Sequence, residues 1–127
     1  TVLNDVSARL LQTTHKQWYF GKGLDGFTPM GPCITSADEI AFPPALQISS
    51  RINGELRQNS VTDLLITSIT DIIEELSSGM TLMPGTIIAT GTPSGVGMGF
   101  DPPKFLKSGD MVECSIEGIG TLRNVVR

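Results

Sequence analysis

A chain of 127 residues has room for one domain with a hydrophobic core and too little length for two ordinary domains. Its composition, with 39% hydrophobic and 17% charged residues, is typical of a soluble globular protein. The formal net charge of −4, with no Lys/Arg run to offset it, argues against nucleic acid as a partner.

The apolar runs are only a few residues long, which argues against a membrane-spanning segment or a membrane partner. The first residues also lack the basic and long apolar regions of a signal peptide. We therefore expect a cytoplasmic protein, or a mitochondrial one if the source is a eukaryote.

The cysteines and the single histidine follow no metal-binding pattern. Cys33 and Cys114 are too far apart for metal-ligand spacing, so we expect two buried thiols. His15 lies in a polar run and is expected to be an exposed loop residue. One histidine also excludes a multi-histidine metal site supplied by this chain alone.

The first quarter of the chain predicts little regular structure. Residues 7–12 are compatible with a short helix, and residues 17–20 form an aromatic, β-prone patch. Residues 21–32 are dense in Gly and Pro and are predicted to be loop, with a short strand at residues 33–35.

The clearest local prediction is a β-hairpin. Residues 46–52 alternate apolar and polar side chains, the period of a half-buried strand. Asn53-Gly54 follows, a dipeptide that readily adopts positive φ at both central positions of a type I′ turn. Residues 55–59 are expected to return as the second strand.

One amphipathic helix is predicted over residues 69–77, where apolar side chains recur at three- and four-residue spacing. Ser68 is a suitable N-cap, Asp71 follows three residues later, and Gly79 stands just past the predicted end. We expect this helix to be structural and to cover a sheet.

The last third of the chain predicts more strands. Residues 86–90 are nearly all apolar or β-branched and are predicted to form a central strand. A glycine-rich loop (residues 91–99), one helical turn (102–106) and a closing hairpin (111–116 and 121–126) follow. Strands dominate in an irregular order, so the predicted fold class is α+β with a strand-rich core.

Asp5 and Arg9 are the first candidates for chemistry. Asp5 stands between Asn4 and small or apolar residues; it is either a ligand for a hard cation such as Mg²⁺ or the N-cap of the short helix. Arg9, four residues later, either forms an i,i+4 ion pair with Asp5 or grips a substrate carboxylate in bidentate fashion.

Two further side chains have both a functional and an ordinary interpretation. Gln12, one helical turn beyond Arg9, is either polar surface or a hydrogen-bond donor to a keto or enolate oxygen. Lys22, between Gly21 and Gly23, is either an exposed loop lysine or a stabiliser of a developing oxyanion. The glycine-rich loop lacks the Gly-Lys-Ser/Thr ending of a P-loop, and Thr92 is its natural side-chain donor.

Taken in order, these stretches resemble the fumarylacetoacetate hydrolase family over essentially the whole chain. The resemblance rests on Asn4-Asp5-Val6-Ser7-Ala8-Arg9 with Gln12, Gly21-Lys22-Gly23 with Asp25-Gly26-Phe27, Gly31-Pro32, Asn53-Gly54-Glu55 and Thr90-Gly91-Thr92-Pro93-Ser94-Gly95-Val96-Gly97. It implies a single α+β domain, a mixed β-sheet roll or barrel with one main covering helix. It also implies a homodimer with a Mg²⁺, Mn²⁺ or Ca²⁺ site that acts on small 2-oxo acids.

Carried over to this chain, the resemblance makes Asp5 the metal ligand and Lys22 and Gln12 catalytic. It places Arg9, Gln12 and Thr92 at the substrate. Two positions depart from the family pattern: Leu10 stands where Asp usually follows Arg, and Thr86 where Pro-Gly-Asp is usual. We expect both changes to be tolerated.

The family's Glu-x-Glu pair, which supplies the other metal-binding carboxylates, lies upstream of the aspartate and is absent from residues 1–127. The catalytic histidine region is absent as well. We therefore expect this chain to be the C-terminal portion of a longer catalytic domain, which binds metal poorly by itself.

The implied activity is metal-dependent hydrolysis of C–C bonds in 2,4-diketo acids through a stabilised enolate. Two alternatives remain among enzymes: a 2-hydroxyhepta-2,4-diene-1,7-dioate isomerase/decarboxylase and an oxaloacetate decarboxylase. An alternative of another class is a non-catalytic fragment or homologue that has lost its metal.

Overall fold

Residues 1–14 and 16–127 are described by a computed structural model; His15, predicted to be an exposed loop residue, lies outside the described residues. The elements, in chain order, are β1 (Val2–Leu3), α1 (Arg9–Thr14), β2 (Met30–Gly31), β3 (Gln47–Ile52), β4 (Glu55–Val61), α2 (Ile69–Gly79), β5 (Met111–Ile116) and β6 (Gly120–Val125). Two short 3₁₀ turns lie at Thr62–Leu64 and Gly97–Gly99. The predicted α+β class is confirmed.

Four strands form the main sheet in the order β4-β3-β5-β6, with every neighbouring pair antiparallel. The predicted first hairpin is confirmed: Asn53 and Gly54 both have positive φ, 51° and 83°, as a type I′ turn requires. The register shifts between Ser50 and Arg51, where Arg57 is an extra residue in β4 and forms a β-bulge. The closing hairpin is also confirmed as β5 and β6.

A two-stranded sheet, β1 with β2, packs against β5 and β6. Val2 at 2% exposure, Val112 at 4% and Leu122 at 9% are the buried apolar residues of the described chain, and they lie at this junction. This contact holds the segment that follows β1, and so it positions the site.

Helix α2 begins as predicted. Ser68 accepts a hydrogen bond from the backbone N–H of Asp71 (3.1 Å), which satisfies one of the unpaired donors of the first turn. The helix continues to Gly79, which is its last residue and does not lie beyond its end. None of the helices in the described part of the chain combines the length and apolar character needed to cross a membrane.

An apolar groove of about 940 Å³ separates α2 from the sheet. Ile69 and Ile72 line it on the helix side, and Leu46 and Ile48 line it on the sheet side. The helix therefore occupies the position predicted for a covering helix, but open space lies between it and the sheet.

Several local predictions were wrong. Residues 86–90 do not form the predicted central strand. They have the composition of a strand, but a strand needs a neighbouring strand for its backbone hydrogen bonds, and none of the described strands pairs with them. Residues 102–106 form no helix, because Pro103 disfavours the helical conformation at Pro102, the residue before it. Residues 33–35 form no strand, since the chain pairs with β1 earlier, at β2.

The cysteine prediction was wrong for Cys33, which is exposed. It lies just after β2 in irregular structure, where no second layer covers it. Cys114 in β5 is partly buried, and this burial raises the pKa of its thiol.

Candidate active site

The backbone around Asp5 is held on both sides. Asn4 N–H donates to the carbonyl of Pro29 (3.0 Å) and Val6 N–H to that of Phe27 (3.1 Å), which extends the β1–β2 pairing past the end of the strands. Helix α1 begins at Arg9, two residues later than the sequence predicts. Asp5 therefore lies too far from the helix to be its N-cap, and that alternative is excluded.

A close backbone contact brings the lysine loop to the same place. Ala8 N–H donates to the carbonyl of Gly21 (2.8 Å), and Gly21 is buried against α1. A Cβ at Gly21 would lie 2.8 Å from Gln12 Cβ, closer than real side chains approach. The predicted β-prone patch 17–20 is instead a turn, in which Tyr19 carbonyl accepts from the N–H groups of Lys22 (2.9 Å) and Gly23 (2.8 Å).

Lys22 and Asp5 meet as a result. Lys22 Nζ forms an ion pair with Asp5 Oδ2 and donates a second hydrogen bond to Ser7 Oγ (3.1 Å). The two charged side chains remain 30% and 39% exposed, so a small ligand can reach them. Sequence reasoning missed Ser7; its position two residues after Asp5, on the same side of an extended chain, is the signal that would have found it.

Arg9 and Gln12 form a second pair on α1. Arg9 Nη1 donates to Gln12 Oε1 (2.8 Å), and Gln12 is only 6% exposed. The i,i+4 ion pair between Asp5 and Arg9 is not formed, because Asp5 pairs with Lys22. The contact fixes the amide orientation of Gln12: its oxygen faces the guanidinium, and its NH₂ group faces away.

Thr92 lies in a different part of the described structure. Its hydroxyl accepts a hydrogen bond from Gln58 Nε2 (2.8 Å), and it lines the apolar groove beside α2. Within the described chain, its hydrogen-bond partner and its neighbours along the groove do not include Asp5, Arg9, Gln12 or Lys22. The five predicted site residues are therefore placed as two contacting pairs and one separate threonine, and their roles remain predictions.

The described side chains supply only part of a donor set for a divalent cation. Among residues 1–14 and 16–127, no three His, Cys, Asp or Glu side chains converge in a way that would hold a metal ion. Asp5 alone offers a hard carboxylate oxygen, partly exposed and beside the hydroxyl of Ser7. Such oxygen donors suit Mg²⁺ or Ca²⁺, so Asp5 fits as one ligand of a site that needs further carboxylates.

The clearest pKa shifts of carboxyl groups in the β3–β4 region have structural causes. The Lys104 ammonium donates to Glu55 (2.7 Å) and lowers the pKa of that carboxyl group. The N–H of Lys107 and the amide of Asn53 donate to Asp110 and lower its pKa. These contacts connect the β3–β4 turn to the chain before β5, and they do not indicate a second site.

Comparison with known proteins gives one consistent family. Residues 1–127 match the family model described as fumarylacetoacetate (FAA) hydrolase C-terminal. The chain is 53% identical over 126 residues to the oxaloacetate tautomerase YisK of Bacillus subtilis, which covers 99% of this chain and 42% of that protein. It therefore spans less than half the length of the curated relatives it matches.

Solved structures agree. The fumarylacetoacetate hydrolase EaFAH from Exiguobacterium antarcticum superposes with a TM-score of 0.95 at 50% identity, over 98% of this chain and 45% of that one. A 2-hydroxyhepta-2,4-diene-1,7-dioate isomerase from Mycobacterium marinum gives 0.86 at 44% identity, over 98% and 45%. The chain belongs to the fumarylacetoacetate hydrolase family and has the fold of that family's C-terminal region.

Proposed function

We propose that the complete protein containing this chain interconverts the keto and enol forms of a small 2-oxo dicarboxylic acid such as oxaloacetate. The observation that carries the proposal is the Lys22–Asp5 ion pair, a cation held beside a metal-ligand candidate and within one short stretch of Arg9. The 53% identity to an oxaloacetate tautomerase supports this reaction class.

Asp5 would give one carboxylate oxygen to a divalent cation, Mg²⁺, Mn²⁺ or Ca²⁺, and the remaining ligands would come from outside these residues. When bound, such a cation supplies Lewis acidity toward a 2-oxo group. Asp5 is also paired with Lys22, so the two side chains belong to the same wall of the site. The chain alone therefore supplies one wall of the site.

Lys22 stabilises the enolate oxygen. Its ammonium has three N–H donors, of which Asp5 and Ser7 each accept one, so a donor remains for substrate. A preorganised cation aimed at a developing oxyanion contributes more than the same charge in water. Lys22 Nζ would thus donate to the 2-oxo oxygen while a base from outside these residues takes the proton from C3.

Arg9 and Gln12 orient the substrate from α1. Gln12 is buried with its oxygen fixed on Arg9, so its NH₂ group is the part of the amide that can donate to a substrate oxygen. The guanidinium uses one of its five N–H donors on Gln12 and keeps a fork for a carboxylate. Thr92 donates to the other carboxylate of the substrate.

Hydrolysis of a 2,4-diketo acid is the second candidate, favoured by the likeness to the solved fumarylacetoacetate hydrolase. It needs in addition a base that activates water for attack on the distal carbonyl. Decarboxylation, or isomerisation of a hydroxy-dienedioate, needs only the part of the machinery that stabilises an enolate. A homodimer is the assembly we propose from the family resemblance.

The test uses the full-length protein with Mg²⁺. Addition of the enol form of oxaloacetate should give an absorbance decay that is faster than without enzyme. Lys22→Met should lower kcat about 10²–10³-fold, the usual cost of removing one oxyanion donor. Asp25→Asn, an exposed carboxylate on the same loop, is the matched control and should retain wild-type turnover.

Asp5→Asn should weaken Mn²⁺ binding measured by calorimetry and lower turnover together with it. Intact metal binding and turnover in this variant would contradict the assignment of Asp5. If the wild type ignores oxaloacetate but cleaves acetylpyruvate or fumarylpyruvate, hydrolysis replaces tautomerisation as the function. A wild type that turns over none of these substrates with Mg²⁺ present and also fails to bind Mn²⁺ would support the non-catalytic alternative.

A further inference from the structure

Gln58 on β4 connects the sheet to the loop that carries Thr92. We propose that Gln58 is a positioning residue, which anchors this loop and fixes the Thr92 hydroxyl as a hydrogen-bond donor to a substrate carboxylate. The proposal rests on the role given to Thr92 in the proposed function. Gln58 itself touches the loop and need not touch substrate.

Three hydrogen bonds use both ends of the Gln58 amide. Ser50 Oγ donates to Oε1 (2.9 Å), while Nε2 donates to the carbonyl of Pro93 (2.7 Å) and to Thr92 Oγ1 (2.8 Å). Ser50 is 8% exposed and lies directly opposite Gln58 in the β3–β4 ladder. The amide therefore has a fixed base in the sheet.

The partners also decide the direction of each bond. A carbonyl oxygen only accepts, so the NH₂ group of Gln58 must face Pro93, and Ser50 must then donate to Oε1. The second hydrogen of the same NH₂ group points at Thr92 Oγ1, which accepts it. The hydroxyl hydrogen of Thr92 is therefore free to point away from the sheet.

A free hydroxyl hydrogen is what an anionic ligand needs. A carboxylate accepts hydrogen bonds and cannot donate them, so it is bound by a threonine whose oxygen is already occupied by a donor. Thr92 is exposed on the described structure and lies at the edge of the groove, where a ligand can reach it. Gln58 thus leaves the hydroxyl hydrogen of Thr92 free to donate, as binding of an acidic substrate requires.

The backbone holds the loop at a second point beside Gln58. Gly95 has φ of +104°, and a Cβ there would collide with the carbonyl oxygen of Arg57. The loop therefore lies directly on the β4 backbone one residue before Gln58. Two adjacent attachments, one through backbone and one through the amide, restrict the movement of Thr92.

The kinetic test is a double-mutant cycle in the full-length enzyme with oxaloacetate and Mg²⁺. Thr92→Val should raise KM about 10- to 100-fold, the cost of a hydrogen bond to a charged group. Gln58→Leu, which removes the amide at similar volume, should raise KM about 3- to 10-fold with a smaller change in kcat. The two changes together should cost no more than Thr92→Val alone.

Two further variants separate polarity from packing. Gln58→Glu introduces acceptors where donors are needed, so the Thr92 hydrogen is drawn toward the sheet, and KM should rise more than for Gln58→Leu. Asn59→Leu is the matched control, because Asn59 is exposed on the opposite face of the same strand and should leave KM unchanged. Gln58→Asn replaces Gln58→Leu if unfolding measurements show that the leucine variant does not fold.

Limited proteolysis of the loop, residues 91–99, by a non-specific protease and without substrate is the second readout. Cleavage should be faster in Gln58→Leu and Gln58→Glu and unchanged in Asn59→Leu. Additive KM effects of Gln58→Leu and Thr92→Val, or unchanged cleavage, would overturn the proposal. If the wild type turns over none of the substrates, the proposed function fails, and the proteolysis measurement alone decides whether Gln58 holds the loop.

Discussion

Replacing Gly21 with alanine should separate α1 from the lysine loop. The new Cβ would lie 2.8 Å from Gln12 Cβ, 3.0 Å from Gln12 N and 3.1 Å from Ala8 O. Backbone atoms and a Cβ cannot rotate away, and a normal carbon–carbon contact needs about 3.5–4.0 Å. The loop must therefore retreat by roughly 0.7–1.2 Å, an overpacking that costs about 1–3 kcal/mol of unfolding free energy.

Urea denaturation of the full-length protein measures this cost. The control is Gly79→Ala at the end of α2, where a Cβ meets nothing within 4 Å and alanine should be neutral or stabilising. Since Gln12 moves with α1, kcat/KM should fall in Gly21→Ala and remain unchanged in Gly79→Ala. A midpoint for Gly21→Ala equal to or above the wild-type value would refute the close contact and the argument built on it.

Two other predictions concern groups outside the site. At neutral pH iodoacetamide should modify Cys33 rapidly and Cys114 slowly, because Cys33 is exposed and burial raises the pKa of the Cys114 thiol; equal rates by mass spectrometry would contradict this. Asp110, whose pKa lies below the ordinary 3.8 because the N–H of Lys107 and the amide of Asn53 donate to it, stabilises the fold above that value. This stability is lost as the pH falls through the lowered pKa. The urea midpoints of Asp110→Asn and wild type should therefore differ at pH 6 and converge in acid. A difference between the two midpoints that stays constant with pH would contradict the prediction.

Local features of the chain were readable from sequence because their causes are local. Asn53-Gly54 requires only the positive φ that these two residues tolerate, and it gives the β3–β4 hairpin. Ser68 caps α2 through a contact three residues away, whatever the helix packs against. The family resemblance likewise rests on short motifs in order, and it is confirmed by the family match over residues 1–127.

Where contacts with distant residues decide the local structure, the predictions from sequence were wrong or left alternatives open. Residues 86–90 have the composition of a strand, yet no described strand pairs with them. Cys33 has the residue type of a buried position, yet no layer covers it. Neither fact is encoded within a few residues of the position concerned.

The site itself divides in the same way. Asp5, Arg9, Gln12 and Lys22 were nominated by residue type and by family resemblance, but their partners were not: Asp5 pairs with a lysine 17 residues away, and Arg9 with Gln12. The link from Gln58 across 34 residues to Thr92 had no local signal at all. A hydrogen bond between distant residues depends on where two backbones meet. The sequence by itself therefore determined which groups are available for chemistry, and only the tertiary structure decided which of them face each other.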